Sequence, residues 1–216
     1  MIRLAIHGGS DYTQFMQWND RFMQVFTDAV YRFHEQAHVA VDQFFLPEEK
    51  ALLEEIGYNP YEMFDYVKDY ATLGEPSPST VLLIAAARRA FFVTVQRCMA
   101  GSSLLKESDI PRDTEEYQDI AYLPRIIRKA EAKLYGTLPH SVMYYCAKDR
   151  DFLRKHGDIH PADFLYVVWT AKGNKQMVVS HVLRVMKEKG QLSQLPAARD
   201  MAPMHEESSG GEAPNT

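Results

Sequence analysis

Prolines and glycines divide most of this 216-residue sequence into segments with the length of an α-helix. Proline is favoured at the first position of a helix and glycine just after the last, so their alternation marks helix boundaries. Asn59-Pro60, for example, joins an N-cap residue to a proline, and Gly74 follows one helix length later. The same pattern predicts helices over residues 47–56, 60–73, 77–101, 124–135, 148–156, 161–172 and 175–189.

Two of the predicted helices have a distinctive distribution of apolar residues. From Tyr12 to Phe45, apolar residues recur every three or four positions without glycine or proline, which predicts one long helix. The segment from Val81 to Val95 is apolar on most faces, which is typical of a helix at the centre of a bundle. Cys98, in the same predicted helix, is expected in the core.

The other segments complete a prediction of a mainly α-helical, compact multi-helix bundle with at most a minor strand element. Residues 102–121 are polar and read as a loop, and only Ile2–Ile6 and Ser141–Tyr145 resemble strands. The predicted organisation is an N-terminal helical extension (1–45), a helical core domain (46–192) and a disordered C-terminal tail (193–216).

Composition indicates a cytoplasmic protein without a membrane-spanning segment. Hydrophobic residues make up 46% of the chain, enough for a sizeable core. The N-terminal sequence lacks the pattern of a signal peptide, and the longest apolar run, Val81–Ala87, is far too short to cross a bilayer. The two cysteines are too few for a disulfide framework, and the absence of Cys-x-x-Cys excludes a zinc knuckle.

Charge is distributed unevenly along the chain. Lys and Arg number 10 against 19 Asp and Glu in residues 1–121, 13 against 6 in 122–192, and 1 against 4 in the tail. The basic segment suits an anionic partner, although the favoured interpretation is that the acidic and basic parts face each other. A nucleic-acid partner is not favoured, because the chain is acidic overall and Gln176–Val185 is mostly apolar.

A metal-site motif lies in the N-terminal helix. His34, Glu35 and His38 match the H-E-x-x-H pattern, in which two imidazoles on one helix face bind zinc beside a glutamate base. No third ligand follows at the spacing of known metalloproteases. A surface helix that carries two histidines is the favoured alternative.

The leading candidate for a functional site lies between the helix that Pro124 begins and the helix after Cys146. A thiol at a helix N-terminus can be an activated nucleophile, and Asp149 in the first helical turn would orient it. Arg125 and Lys129 are four residues apart and share a face suited to an anion. Tyr144 is a further candidate for substrate contact, while burial of these residues in the core is the structural alternative.

Two other patterns have mainly structural interpretations. Arg88 and Arg89 lie in an otherwise apolar helix, and we expect them to pair with carboxylates from another helix such as Asp65 or Asp69. The sequence His7-Gly8-Gly9-Ser10 lacks the spacing of a phosphate-binding loop and is interpreted as a turn.

Several short motifs resemble a bacterial family catalogued as domain of unknown function 5069. They are the segment Tyr122–Leu134 with its Leu-Pro-Arg, Cys146-Ala147-Lys148-Asp149 followed by Phe152-Leu153, and Gly157–Leu165. The resemblance covers roughly residues 46–186 and departs from the family pattern at Arg128 and Ala90. It supports a helical domain and implies no activity.

The sequence therefore predicts a small enzyme or binding protein for an anionic small molecule, with a basic and thiol-containing site. A protein- or nucleic-acid-binding helical module is the first alternative, and a metal-dependent hydrolase that uses His34, Glu35 and His38 is the second. The sequence specifies neither a cofactor nor an oligomeric state.

Overall fold

The computed structural model describes residues 17–36, 39–101 and 103–191. This part of the chain forms nine α-helices and one two-stranded antiparallel sheet, which confirms the predicted mainly helical fold. The helices are α1 (Trp18–Gln36), α2 (Val41–Phe44), α3 (Pro47–Glu55), α4 (Pro60–Leu73), α5 (Pro78–Thr94), α6 (Leu123–Tyr135), α7 (Ala147–Lys155), α8 (Pro161–Ala171) and α9 (Lys175–Glu188). The strands are β1 (Glu116–Tyr117) and β2 (Ile120–Ala121).

Most helix boundaries follow the predicted capping residues. Asn59, Ser77 and Asn174 each accept a hydrogen bond from a backbone amide in the first turn of the helix that follows. Gly74 and Gly136 adopt left-handed conformations and end α4 and α6. Local chemistry therefore sets these boundaries, which explains why they can be predicted from the sequence.

The prediction of one long helix from residue 12 to 45 is wrong. Helix α1 ends at Gln36, the backbone is extended at Ala40, and α2 is a separate single turn. The side chain of Arg32 donates to the carbonyl of Phe44 at 3.0 Å, and Phe44 itself is buried. Burial of the aromatic residues at the end of the segment requires the chain to turn back, and helical periodicity does not reveal that requirement.

Helix α5 is shorter than predicted and ends at Thr94 instead of residue 101. Arg97 and Cys98 have positive φ angles, and Cys98 is exposed, so its expected place in the core is wrong. The Gln96 side chain accepts from Arg88 at 2.6 Å and donates to the Tyr135 carbonyl at 3.2 Å. These bonds join the end of α5 to the end of α6 and compete with continuation of the helix.

Two predictions outside the helices also differ from the structure. Residues 102–121, predicted as a loop, include a 3-10 turn at residues 107–109 as well as β1 and β2. Ser141–Tyr145 forms turns and no strand. Residues 2–6, the turn at residues 7–10 and the tail from 193 to 216 lie outside the described residues.

Helix α5 lies at the centre of the bundle, where it packs against α1, α6 and α8. Its buried residues include Val81, Ile84 and Phe91. Helix α1 packs on α3, α4 and α5 and buries Phe22 and Phe26, so the segment predicted as an extension shares the common core. Among the helices that the structure describes, none has the length and apolarity needed to cross a membrane.

Ion pairs between the acidic and basic parts of the chain confirm that these parts face each other. Each pair joins a carboxylate from residues 1–121 to a cation from residues 122–192. The pairs are Lys133–Glu62, Arg150–Asp69, Arg150–Glu75, Arg154–Glu75, Arg125–Asp113 and Lys148–Asp113. Much of the basic charge that suggested an external anion is therefore neutralised within the molecule.

Candidate functional site

Helix α6 places Lys129 and Lys133 on the face that packs into the protein. Their exposed fractions are 1% and 0%, and both are among the largest fully buried side chains. Lysine is rarely buried unless it is paired, because removing an ammonium from water is costly. The predicted anion-binding row on α6 is therefore an internal feature of the fold.

Lys129 pairs with Asp149, which is fully buried at the start of α7. The ammonium also lies 3.3 Å from the sulfur of Cys146. The other carboxylate oxygen of Asp149 accepts from the Tyr122 hydroxyl at 2.8 Å. We call these four residues, Lys129, Asp149, Cys146 and Tyr122, the Lys129 cluster.

Backbone amides also hold the Lys129 cluster in place. Asp149 accepts from the amides of Tyr145 at 2.7 Å and Cys146 at 3.2 Å, so it also satisfies the beginning of α7. Tyr122 and Tyr145 both have positive φ angles, near 70°. Burial and the adjacent Asp149 carboxylate raise the pKa of the Tyr122 hydroxyl, which keeps it a neutral hydrogen-bond donor.

Arg125 lies beside the cluster in a second set of charges. Its Nε is 3.0 Å from a carboxylate oxygen of Asp113, which also pairs with Lys148, and its Nη1 donates to the Pro111 carbonyl at 2.6 Å. The hydrogen bond from Lys148, together with Arg125, lowers the pKa of Asp113. These contacts tie Arg125 to Asp113 and Pro111, although its buried Nε makes no hydrogen bond to the described residues.

The structure brings Cys146, Asp149 and Lys129 together as the sequence analysis expects, but it places Tyr144 elsewhere. The hydroxyl of Tyr144 donates to the Pro161 carbonyl at 2.8 Å, and the residue is 1% exposed. Its own carbonyl accepts from Tyr66 at 2.8 Å. Tyr144 thus holds the loop before α7 against α4 and α8, and its position offers no surface for a substrate.

Sequence reasoning missed Tyr122 and Asp113. In the sequence, Tyr122 stands out only as part of the Tyr122–Leu134 motif. No neighbouring residue indicates its left-handed conformation, which tyrosine rarely adopts. Asp113 lies in a polar segment with several carboxylates, and no feature of the sequence distinguishes it from the others. Only the packing of the 102–121 segment onto α6 brings these two side chains to the cluster.

The Lys129 cluster places the sulfur of Cys146 beside the ammonium of Lys129. Cys146 is half-buried, whereas the other cysteine, Cys98, is exposed. The nucleophilic role of Cys146 stays a prediction. If it is correct, iodoacetamide at neutral pH should modify Cys146 faster than the more accessible Cys98, which mass spectrometry of the peptides would measure.

A second buried group of charges surrounds Lys133. Its ammonium is 2.5 Å from Glu62 and lies 3.9 Å from the ring centre of Tyr58. Arg88, from α5, is 2% exposed and acts electrostatically on the same Glu62, but its only hydrogen bond to the described residues goes to Gln96. The expectation that Arg88 pairs with Asp65 or Asp69 is therefore wrong, because Asp69 pairs with Arg150 and Arg88 has no carboxylate within ion-pair distance in the described chain.

A cavity that shares no lining residue with the Lys129 cluster lies between α5, α6 and α8. Its volume is about 740 Å³, which is within the range of small-molecule sites. Aromatic walls come from Phe91, Tyr135 and Trp169, whose rings are arranged edge to face at centroid distances of 4.8 and 5.2 Å. The charged side chains of the lining are two cations, Arg128 and Lys172, and one carboxylate, Glu131.

The predicted metal motif is only partly described by the structure. His34 and Glu35 are exposed at the end of α1, and His38 lies outside the described residues. Within the described ranges, no group of three or more His, Cys, Asp or Glu side chains is arranged to hold a metal ion. The role of His34, Glu35 and His38 as metal ligands stays a prediction.

Comparison of the chain with protein-family models, with curated proteins and with solved structures found no match. The resemblance to domain of unknown function 5069 therefore stays a prediction.

Proposed function

We propose that the protein binds a small molecule with an aromatic or apolar body and an anionic group, in the cavity between α5, α6 and α8. The observation that carries the proposal is the combination of a 740 Å³ volume, three aromatic walls and two cationic side chains. The ligand class is the anionic small molecule that the sequence predicts. Its site is different, because Arg128 and Lys172 replace Arg125 and Lys129.

The aromatic rings supply the body of the site. Phe91 is buried and supports both Tyr135 and Trp169, so the wall is held in place before a ligand arrives. Tyr135 is 50% exposed and Val95 is 45% exposed, which leaves apolar surface open towards the cavity. Burial of that surface against a flat apolar ligand is favourable at roughly 25 cal/mol per Å².

The two cations give the site its charge preference. Lys172 follows α8 in a left-handed conformation, and among the described residues it makes no ion pair or side-chain hydrogen bond. Arg128 has a single weak partner, Glu131, at 3.4 Å on its own helix. Both cations can therefore turn to an anionic group without breaking a buried pair, unlike Lys129 and Lys133.

The experiment is a titration with 8-anilinonaphthalene-1-sulfonate, which combines aromatic rings with an anion. We expect binding at one site per chain, with a change in Trp169 fluorescence. The double variant Arg128→Gln/Lys172→Gln should bind about tenfold more weakly, equivalent to about 1.4 kcal/mol. The matched control, Lys155→Gln/Lys189→Gln, removes the same charge from exposed positions outside the cavity and should bind like the parent.

A neutral probe of similar shape, N-phenyl-1-naphthylamine, separates the apolar and ionic contributions. Its binding should be weaker than that of the sulfonate and equal in both double variants. If the charge variants do not alter sulfonate binding, the cavity is an apolar surface without anion preference and the proposal is wrong. Native mass spectrometry of protein purified in volatile buffer then identifies any ligand that the protein retains.

A further inference from the structure

Arg88 lines a second cavity. This Arg88 cavity has a volume of about 340 Å³ and is lined by Lys50, Glu54, Tyr58, Arg88 and the glycines at 57, 101 and 136, so that its charged side chains are two cations and one carboxylate. It is outside the α5–α6–α8 cavity, with which it shares no lining residue. Its distinguishing feature is a cation that the fold buries without giving it a carboxylate.

Arg88 has no carboxylate of its own. Lys133 and Arg88 are both buried and both interact electrostatically with Glu62, while Asp65 acts on Lys133 as well. Glu62 accepts its short hydrogen bond from Lys133. Burial lowers the pKa of Arg88 to about 10, with Glu62 opposing that change, so the guanidinium stays charged at neutral pH.

The hydrogen bonds of Arg88 are also incomplete. Nη1 donates to Gln96, whereas the buried Nε has no acceptor among the described residues. A guanidinium carries five N–H donors, and leaving them unpaired in a buried position is costly. An external anion that supplies the missing acceptors stabilises a buried guanidinium with unpaired N–H groups.

The glycines around Arg88 let the backbone approach the guanidinium closely. A Cβ at Gly136 would lie 2.6 Å from Nη2 of Arg88, and one at Gly57 would lie 2.4 Å from the ring of Phe92, over which Arg88 is stacked. Both glycines have φ near 70°. The chain thus keeps the wall next to Nη2 free of side chains, in a cavity that also contains the cationic Lys50.

We propose that the Arg88 cavity is a second binding site, which takes a small oxyanion, a phosphate or carboxylate group, on the guanidinium of Arg88. Lys50 contributes a second positive charge to the lining, and the glycine backbone forms the opposite wall. The volume accommodates the anionic end of a metabolite or a free inorganic anion. This site is independent of the aromatic cavity proposed above.

The first test measures thermal unfolding while phosphate or acetate is titrated at constant ionic strength against chloride. We expect one of the two anions to raise the melting temperature saturably, by ~3 °C or more. A response to phosphate alone assigns the site to phosphate groups, and a response to acetate assigns it to carboxylates. Absence of a saturable response to both anions overturns the proposal.

Arg88→Met should abolish the response. Arg89→Met is the matched control, because Arg89 is the neighbouring arginine on α5 but stacks on Trp18 and does not line the cavity. An equal response of the parent and Arg88→Met overturns the proposal.

A second test locates the anion in the parent protein and needs no variant. In a ¹⁵N-resolved titration, the amides of Gly57, Gly101 and Gly136 should shift together with one dissociation constant. Gly173 lines the α5–α6–α8 cavity and reports on that site instead. Shifts confined to Gly173 assign the anion to the aromatic cavity and overturn the present inference, whereas shifts at Gly57 and Gly101 support it whatever the outcome for the first cavity.

Discussion

The Lys129 cluster and the Arg88 cavity both contain buried cations, but they differ in how those cations are satisfied. Lys129 has a dedicated carboxylate, Asp149, whose oxygens also serve Tyr122 and two backbone amides. Arg88 interacts electrostatically with Glu62, which is already hydrogen-bonded to Lys133. The Nε of Arg88 has no hydrogen-bond partner within the described chain. A complete set of partners indicates a structural role, whereas Arg88 combines an incomplete set with an adjacent cavity, which leaves room for a ligand.

This difference explains why the sequence did not reveal that Lys129 and Lys133 are buried and paired within the molecule. Spacing correctly shows that Arg125, Lys129 and Lys133 share one face of the helix. It does not show whether that face meets solvent or carboxylates from other helices. Arg128 on α6 and Lys172 at the end of α8, the cations of the proposed aromatic site, are far apart in the sequence, and no sequence pattern pairs them.

The largest expected effect comes from breaking the Lys129 cluster. Asp149→Ala removes the partner of a buried ammonium and the acceptor for the start of α7, so the free energy of unfolding should fall by about 3–5 kcal/mol. Urea unfolding measures the change. Asp151→Ala, which removes an exposed carboxylate from the same helix, should cost less than about 1 kcal/mol. Similar losses in the two variants would show that the cluster is not a structural centre.

The next effect concerns Asp65, on α4 close to Glu62. Burial, with Glu62 and Asp69 nearby, raises the pKa of Asp65 to about 6, well above its usual value in water. The folded state therefore holds the proton more tightly, and the parent loses stability as the pH rises from about 4 to above 6.

Asp65→Asn removes that loss. The variant should be more stable than the parent by about 2 kcal/mol at pH 8, after allowance for the partial exposure of Asp65, and nearly equal to it near pH 4. Urea unfolding at the two pH values measures both differences. The control Asp151→Asn should show no comparable pH-dependent gain, and a pH-independent effect of Asp65→Asn would contradict the assignment.

Arg88→Met should change the free energy of unfolding much less than Asp149→Ala does. The substitution loses the bond to Gln96 and the stacking on Phe92, but it also removes a buried charge without a dedicated partner. In anion-free buffer the free energy of unfolding should change by less than about 1 kcal/mol. A loss as large as that of Asp149→Ala would mean that Arg88 is already satisfied by the fold.

The smallest expected effect is at the edge of the Lys129 cluster. Lys148 is 69% exposed and shares Asp113 with Arg125. Lys148→Ala should therefore lower the free energy of unfolding by less than about 0.5 kcal/mol, and added salt should reduce the difference. Urea unfolding at low and high salt tests this, and a loss that is insensitive to salt would place Lys148 in the structural centre.

Local chemistry in the sequence determined the helical class, most helix boundaries and the mutual attraction of the acidic and basic parts. Capping by Asn59, Ser77 and Asn174 and the glycine at the end of α6 act within a few residues, so the sequence reveals them directly.

Tertiary structure alone decided which charges are satisfied and where the cavities lie. The carboxylate that meets Lys133 is 71 positions away along the chain, and the glutamine that meets Arg88 stands where α5 stops short of its predicted end. Such pairings depend on how helices pack, because the cost of a buried charge is set by all the groups that surround it in space.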